Sequence, residues 1–93
     1  MAFKAFINTE RGFFMRLEKI QNLLKDKYME YEYHEMDECG SIDFVYRGVP
    51  YHIWEFHEGD EWGAETNVQH GGHIEDYTGD YEDQIIEIIE NWQ

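Results

Sequence analysis

Hydrophobic residues recur with helical spacing near both ends of the chain. Between Thr9 and Lys27 the apolar positions fall at i, i+4, i+7 and i+11, which places on one side of a helix Phe13, Leu17, Ile20 and Leu24. Asn8 or Thr9 is available as the N-cap of this helix. After a second possible N-cap, Asp80, the same spacing returns at Tyr81, Ile85, Ile88 and Trp92. The pattern predicts one helix near each end.

Between these helices apolar and polar residues alternate with the period of two that is typical of half-buried strands. The alternating segments are residues 29–34, 42–47, 51–56 and, more weakly, 62–68. Turn-forming residues separate the segments, which favours an antiparallel meander. Residues 69–79 contain three glycines among polar residues and are expected to form a loop.

This order of elements predicts an α+β fold. It consists of an N-terminal helix, a three- to four-stranded antiparallel meander sheet and a C-terminal helix, with both helices on one face of the sheet as a two-layer sandwich. The 93 residues suffice for one modest hydrophobic core, so we expect a single domain over residues 1–93. An aromatic content of 17% argues against disorder.

Charge is distributed unevenly along the chain. Six of the seven Lys and Arg residues precede Tyr28, and only Arg47 follows it, whereas residues 28–93 contain eighteen Asp and Glu residues. The net charge of −14 repels phosphate backbones, so direct binding to nucleic acid is disfavoured and a protein partner with a basic surface is favoured.

The cysteine content and the distribution of apolar residues bear on cellular location and membrane association. Cys39 is the only cysteine and the start of the chain lacks the pattern of a signal peptide, so we expect a cytoplasmic protein. No run of eighteen apolar residues is present, and we expect no membrane role. We also expect no cofactor and no enzymatic activity, because no catalytic or ligand-binding motif of high specificity occurs.

On the closing helix, Asp83, Glu87 and Glu90 form a ladder of like charges that no neighbouring Lys or Arg interrupts. The functional interpretation is that spaced carboxylates imitate nucleic-acid phosphates and occupy the DNA- or RNA-binding channel of a protein. The alternative is an acidic protein whose charge serves only solubility. The expected partner contacts are Glu58, Asp60, Glu61, Trp62, Glu65, Asp80, Asp83, Glu87 and Glu90. We expect all three tryptophans to favour the core, with Trp62 beside a charged turn as the one partly exposed anchor.

In size, acidity and helix-strand-strand-strand-helix order, the chain resembles the small DNA-mimicking inhibitors of phages and mobile elements, including anti-CRISPR proteins. This resemblance is architectural and covers the whole chain. It implies a non-enzymatic inhibitor of a nucleic-acid-binding protein such as a defence nuclease. Because no residue motif supports the resemblance, it does not identify binding residues in this chain.

A second pattern favours a different class of protein. Asp43 lies on the second predicted strand, and Glu55 and His57 lie on the third. This spacing resembles the PD-(D/E)xK nuclease core, in which an Asp on one strand and a Glu-x-Lys on the next bind a divalent metal. The resemblance implies a metal-dependent nuclease, or a decayed form of one, although His57 stands where that family has Lys. A plain scaffold or oligomerisation domain is a third hypothesis.

His70 and His73 flank two glycines and could share a metal ion. A solvated loop is the alternative interpretation of this pair, because no second His or Cys pair accompanies it.

Overall fold

A computed structural model describes residues 16–92 of the chain. Two helices, α1 (Glu18–Asp26) and α2 (Tyr81–Glu90), flank one antiparallel sheet. Its strands follow one another in chain order: β1 (Tyr31–Met36), β2 (Cys39–Tyr46), β3 (Val49–Glu58), β4 (Glu61–His70) and β5 (His73–Thr78). The predicted α+β fold, with one helix before and one helix after a meander in chain order, is confirmed. Neither described helix is long and apolar enough to cross a membrane.

One face of the sheet packs against both helices. The cross-strand register aligns, in one buried row from β1 to β4, Tyr33, Ile42, Ile53 and Thr66. Helix residues of the same core cluster are Ile20 and Leu24 from α1 and Ile85 and Ile89 from α2. Removing each such aliphatic side chain from water contributes about 2 kcal/mol, so this shared core holds both helices on one side of the sheet.

Trp92 closes one end of the core. Its ring lies 5.0 Å from that of Tyr46 and 4.6 Å from that of Tyr51, measured between centroids. Its indole Nε1–H donates a hydrogen bond to the carbonyl of Val68 at 3.1 Å. Trp92, two residues after the end of α2, is therefore tied to β2, β3 and β4 together.

The prediction of a loop over residues 69–79 is wrong, because residues 73–78 form β5. This strand pairs with β4 through His70↔His73, Thr66↔Glu75 and Ala64↔Tyr77. Gly71 and Gly72 form the two-residue connection, and such a pair between two strand segments is a hairpin signal. Most side chains of β5 are exposed, so no apolar alternation marks this edge strand in the sequence.

An irregularity interrupts the pairing of β4 and β5 between Thr66 and His70. The buried Asn67 fills this position with its side-chain amide. Its Nδ2 donates to the carbonyls of Pro50 and Gly71 at 3.0 Å each, and its Oδ1 accepts the His52 N–H at 2.9 Å. The amide thus joins the first half of β3 to β4, beyond their last backbone pair.

Helix α1 begins later than its apolar spacing predicts. Leu17 has a φ of 56°, a left-handed conformation, and the helix starts at Glu18. Arg16 and Leu17 are therefore not part of a continuous helix, while the predicted caps Asn8 and Thr9 and the apolar Phe13 lie outside the described residues. Leu17 is nevertheless buried in the core.

The N-terminus of α1 is capped by a side chain from α2. Glu82 Oε2 accepts hydrogen bonds from the backbone N–H groups of Lys19 at 3.0 Å and Ile20 at 3.3 Å. A carboxylate there satisfies free donors and complements the positive end of the helix dipole. The predicted N-cap of α2, Asp80, occupies the cap position without a side-chain cap bond, and accepts instead from Gln84 Nε2 at 2.9 Å.

This cap yields a stability prediction. Glu82→Ala removes the acceptor of two backbone N–H groups and is expected to lower the free energy of unfolding by about 1 kcal/mol. Asp83→Ala is the matched control in the same helical turn: it breaks only an exposed contact with Lys19 and should cost less than about 0.5 kcal/mol. Urea unfolding measures both, and equal losses would contradict the capping role.

Glu82 also predicts a pH dependence. Burial raises its pKa above the ordinary 4.5, and the two backbone hydrogen bonds offset only part of that rise. The native state therefore binds this proton more tightly than the unfolded chain, so the associated stability is complete at low pH and is lost as the pH rises through the folded pKa. Relative to Glu82→Gln, the natural chain should lose stability between about pH 4 and pH 7 in urea unfolding. A relative gain over this interval would show that the hydrogen bonds outweigh burial.

Candidate functional site

Glu55 is a buried carboxylate on β3 that faces the helices. Its side chain is 2% exposed. The Arg16 guanidinium forms a fork on it, with Nε to Oε1 and Nη2 to Oε2 both 3.0 Å. The Gly40 N–H donates to Oε1 at 2.9 Å and the Tyr81 hydroxyl donates to Oε2 at 2.5 Å. Four hydrogen bonds from three segments therefore converge on one side chain.

Arg16 is itself held in place by its surroundings. Its backbone N–H donates to the Tyr33 hydroxyl oxygen at 2.9 Å, and its carbonyl accepts from Gln21 Nε2 at 2.8 Å. Its guanidinium lies 4.5 Å from the centre of the Trp62 ring. A Cβ on Gly40 would approach the Arg16 Cβ to 2.8 Å, so a larger residue at position 40 would push the arginine away.

The electrostatics agree with a satisfied ion pair. The pKa of Arg16 is raised, chiefly by its hydrogen bond to Glu55. Burial raises the pKa of Tyr81, and the hydrogen bond that it donates to Glu55 raises it further. Both carboxylate oxygens of Glu55 thus accept hydrogen bonds from charged or hydroxyl donors, which stabilises the fold. We call Glu55 and its donors Arg16, Gly40 and Tyr81 the clasp.

The structure does not bring together the predicted nuclease residues. Asp43 pairs with His52 across β2 and β3, and both side chains project from the face opposite to that of Glu55. His57 is exposed, with its ring stacked on Trp62 at a centroid distance of 4.1 Å. Asp43 and Glu55 therefore lie on different faces of the sheet.

His70 and His73 are neighbours across β4 and β5, with ring centroids 6.4 Å apart. Both are exposed at the end of this hairpin. Within residues 16–92, no group of three or more His, Cys, Asp or Glu side chains is placed to hold a metal ion.

Cys39 begins β2 and is half-buried. Burial raises the pKa of its thiol, and the negative charge of Glu55 raises it further. The thiol form is a poor nucleophile, so the surroundings do not activate this side chain.

The predicted partner contacts fall on more than one surface. Glu58, Asp60 and Glu61 form the turn between β3 and β4, and together with Trp62 and Gly79 they line a surface depression of about 540 Å³. Asp80 follows Gly79 directly, so the N-terminal end of α2 adjoins this turn. Trp62 is half-buried beneath Arg16, whereas the acidic side chains of this turn are exposed.

Asp83, Glu87 and Glu90 are exposed along α2. The first member of this ladder contacts a cation that the local sequence did not reveal, since Lys19 Nζ of α1 lies 3.4 Å from Asp83 Oδ1. Glu65 lies apart from the ladder, because it pairs with Trp54 on the face of the sheet that is turned away from the helices.

That face, which neither α1 nor α2 covers, carries an aromatic row along the central strand β3. We call His52, Trp54 and Phe56 the aromatic ridge. The His52 and Trp54 rings stack with centroids 4.2 Å apart, and a Cβ on Gly63 would come within 2.6 Å of the Phe56 ring. Trp54 is 41% exposed, so the expectation that it lies in the core is wrong.

Carboxylates stand on both sides of the ridge. Glu65 is paired with Trp54 and Asp43 with His52, while one strand further out Asp76 is paired with Glu65 and Glu32 with Asp43. We call Glu32, Asp43, Glu65 and Asp76 the flanking carboxylates. None of the five strands contains a Lys or Arg residue.

Sequence reasoning missed this surface, although a signal for it exists. Ile53 and Glu55 alternate with the ridge residues, so assigning Ile53 to the core places Trp54 on the opposite face. Sequence reasoning instead placed Trp54 in the core, because tryptophan is highly buried on average in proteins.

The buried Arg16–Glu55 pair predicts that two glutamates of β3, Glu55 and Glu58, contribute very differently to the free energy of unfolding. Glu55→Ala leaves the Arg16 guanidinium and the Tyr81 hydroxyl without their acceptor. We expect a loss of about 3 kcal/mol in the free energy of unfolding, at the lower end for a broken buried pair because the Arg16 side chain is 27% exposed. Glu58→Ala, at an exposed position of the same strand, should change stability by less than about 0.5 kcal/mol. Chemical denaturation measures both, and a Glu55→Ala loss as small as the control would contradict the clasp.

Comparisons of the chain with protein-family models, with curated proteins and with solved structures found no match. The arguments for a function therefore come from this chain's own residues.

Proposed function

We propose that this chain is a non-enzymatic acidic protein that binds the basic nucleic-acid-binding surface of another protein, such as a defence nuclease, and inhibits it by excluding nucleic acid. One observation carries the proposal. Of the twenty carboxylate side chains between Arg16 and Trp92, fifteen are exposed and only that of Glu55 is buried. Five Lys and Arg residues lie in the same range, and Arg16 and Lys19 already contact carboxylates.

Such a surface is attractive to a cationic channel for a definite physical reason. A polyanion releases its condensed counterions when a cationic channel neutralises it, and densely spaced carboxylates provide a gain of the same kind. On α2, Asp83 and Glu90 are seven residues apart, so three carboxylates span about 10 Å of helix axis. The mean spacing is therefore about 5 Å per carboxylate, whereas one DNA strand carries a phosphate about every 3.4 Å along the duplex axis, so the ladder has about two-thirds of the charge density of one strand.

Two features support binding over catalysis. The most buried carboxylate, Glu55, has both oxygens engaged by Arg16, Gly40 and Tyr81. The exposed carboxylates stand on surfaces with few basic groups to hold a substrate phosphate, which a nuclease would need.

A cytoplasmic location fits the single cysteine and is part of the proposal. So is membership of the inhibitor class that the chain resembles, the DNA mimics of phages and mobile elements.

The proposal predicts a specific pattern of capture. The immobilised full-length chain should retain nucleic-acid-binding proteins from a bacterial lysate, and duplex DNA should release them. Affinity should fall at least tenfold between about 50 mM and 200 mM salt, because counterion release drives the association. Retained proteins are identified by mass spectrometry, and their dissociation constants are then measured at both salt concentrations.

Two controls make this result interpretable. Sodium phosphate at the same total charge as the DNA should release far less protein, since it lacks a polyanion's charge density. A bait with Glu65→Gln, Asp76→Asn, Glu87→Gln and Glu90→Gln keeps the core residues and should retain less. Proteins that stay bound in excess DNA, or whose affinity is insensitive to salt, would contradict the proposal.

A further inference from the structure

The interior of this protein contains a complete arginine-binding arrangement. The Arg16 guanidinium lies over the Trp62 indole at 4.5 Å and binds both oxygens of Glu55. An indole face attracts a cation, and a carboxylate accepts the two parallel N–H bonds of a guanidinium. One aromatic ring and one carboxylate together receive the guanidinium in this fold, while the backbone of Arg16 is held by Tyr33 and Gln21.

Among residues 16–92, the aromatic ridge presents the same two partners, a ring and a carboxylate, without an arginine. The exposed Trp54 lies opposite Glu65 in the register of β3 and β4, and the next carboxylate in that row is Asp76. No Lys or Arg occurs on any strand, so the positive charge that would complement this row is not supplied by the sheet. Carboxylates that lie around an exposed tryptophan, on strands without Lys or Arg, are complementary to a cationic partner.

A cavity of about 640 Å³ adjoins the ridge, and His52, Asp43 and Glu32 are among its lining residues. The Nε2 atom of His52 is shielded from solvent and has no hydrogen-bond partner within residues 16–92. The Asn67 side chain fixes the backbone of His52 through a 2.9 Å hydrogen bond. The cavity is thus a preformed feature with room for a side chain beside the stacked ring pair.

We propose that the aromatic ridge and the flanking carboxylates form the docking surface for an arginine-rich segment of the partner protein, with one guanidinium stacked on Trp54 and bonded to Glu65. This inference rests on the proposed function and names one surface, apart from the α2 ladder, on which the arginines of the partner dock. Arginine is favoured over lysine because its planar, weakly hydrated guanidinium both stacks on an indole and forks onto a carboxylate, whereas an ammonium is a compact, strongly hydrated charge.

The test uses two defined peptides, fluorescein-labelled nona-arginine and nona-lysine, titrated with the full-length chain at about 150 mM salt. The natural chain should bind nona-arginine several-fold more tightly than nona-lysine. Trp54→Ala should weaken nona-arginine binding about tenfold or more and remove the preference. Trp54→Phe keeps an aromatic surface with a weaker attraction for cations, so its affinity for nona-arginine should lie between those of the natural chain and Trp54→Ala. This conservative variant keeps the test valid if Trp54→Ala fails to fold.

Matched charge variants separate the ridge from general acidity. Glu65→Gln with Asp76→Asn and Glu87→Gln with Glu90→Gln each remove two negative charges, the first pair beside the ridge and the second on α2. The first variant should weaken nona-arginine binding about tenfold and the second less than about threefold. Equal losses would overturn the docking inference. If DNA-displaceable capture nevertheless persists, the proposed function stands without this surface.

NMR identifies the occupant directly. Addition of nona-arginine should shift the Trp54 indole N–H signal more than the signals of Trp62 and Trp92. Residues 1–15 of the same chain, which contain both apolar and basic side chains, are the rival occupant. Nuclear Overhauser contacts between them and Trp54, with a Trp54 signal that nona-arginine does not move, would overturn the proposal.

Discussion

The fold depends on the burial of a single negative charge. Glu55 lies in the helix-facing layer, where an unpaired carboxylate would be very costly, and it is stable there because Arg16, Gly40 and Tyr81 all donate to it. These donors come from the segment before α1, from β2 and from the first turn of α2. One carboxylate therefore fixes the start of the described chain and the first turn of α2 to the middle of the sheet.

A second contact between the helices complements this clasp. Glu82 of α2 caps α1, and Tyr81 beside it reaches Glu55, so the first turn of α2 positions α1 through both side chains. The acidic residues of this chain accordingly have two physical roles. A few are inside or half-buried and organise the helices by accepting hydrogen bonds, while most are outside and leave the surface strongly negative.

Features encoded by local periodicity could be predicted from the sequence, and features that depend on distant partners could not. The helix-strand order follows from spacings of 3.6 and 2 residues, but Arg16 and Glu55 are 39 positions apart and no local pattern links them. The left-handed backbone of Leu17 interrupts the predicted helix, and the apolar pattern does not reveal this break because the Leu17 side chain is still buried in the core. The edge strand β5 has few buried residues, and Trp54 projects from the uncovered face despite its aromatic character. The surface acidity was predictable from composition, whereas its division between α2 and the aromatic ridge required the register.

The central claim is that this acidic surface takes the place of nucleic acid on a basic partner. The most direct measurement is a three-component titration of a captured partner, a labelled duplex DNA and this chain, followed by fluorescence anisotropy and by sizing of the complexes. If the chain takes the place of nucleic acid, the DNA should be released completely at one chain per binding site, and no species should contain all three. A stable ternary complex, in which chain and DNA bind the partner together, would contradict it.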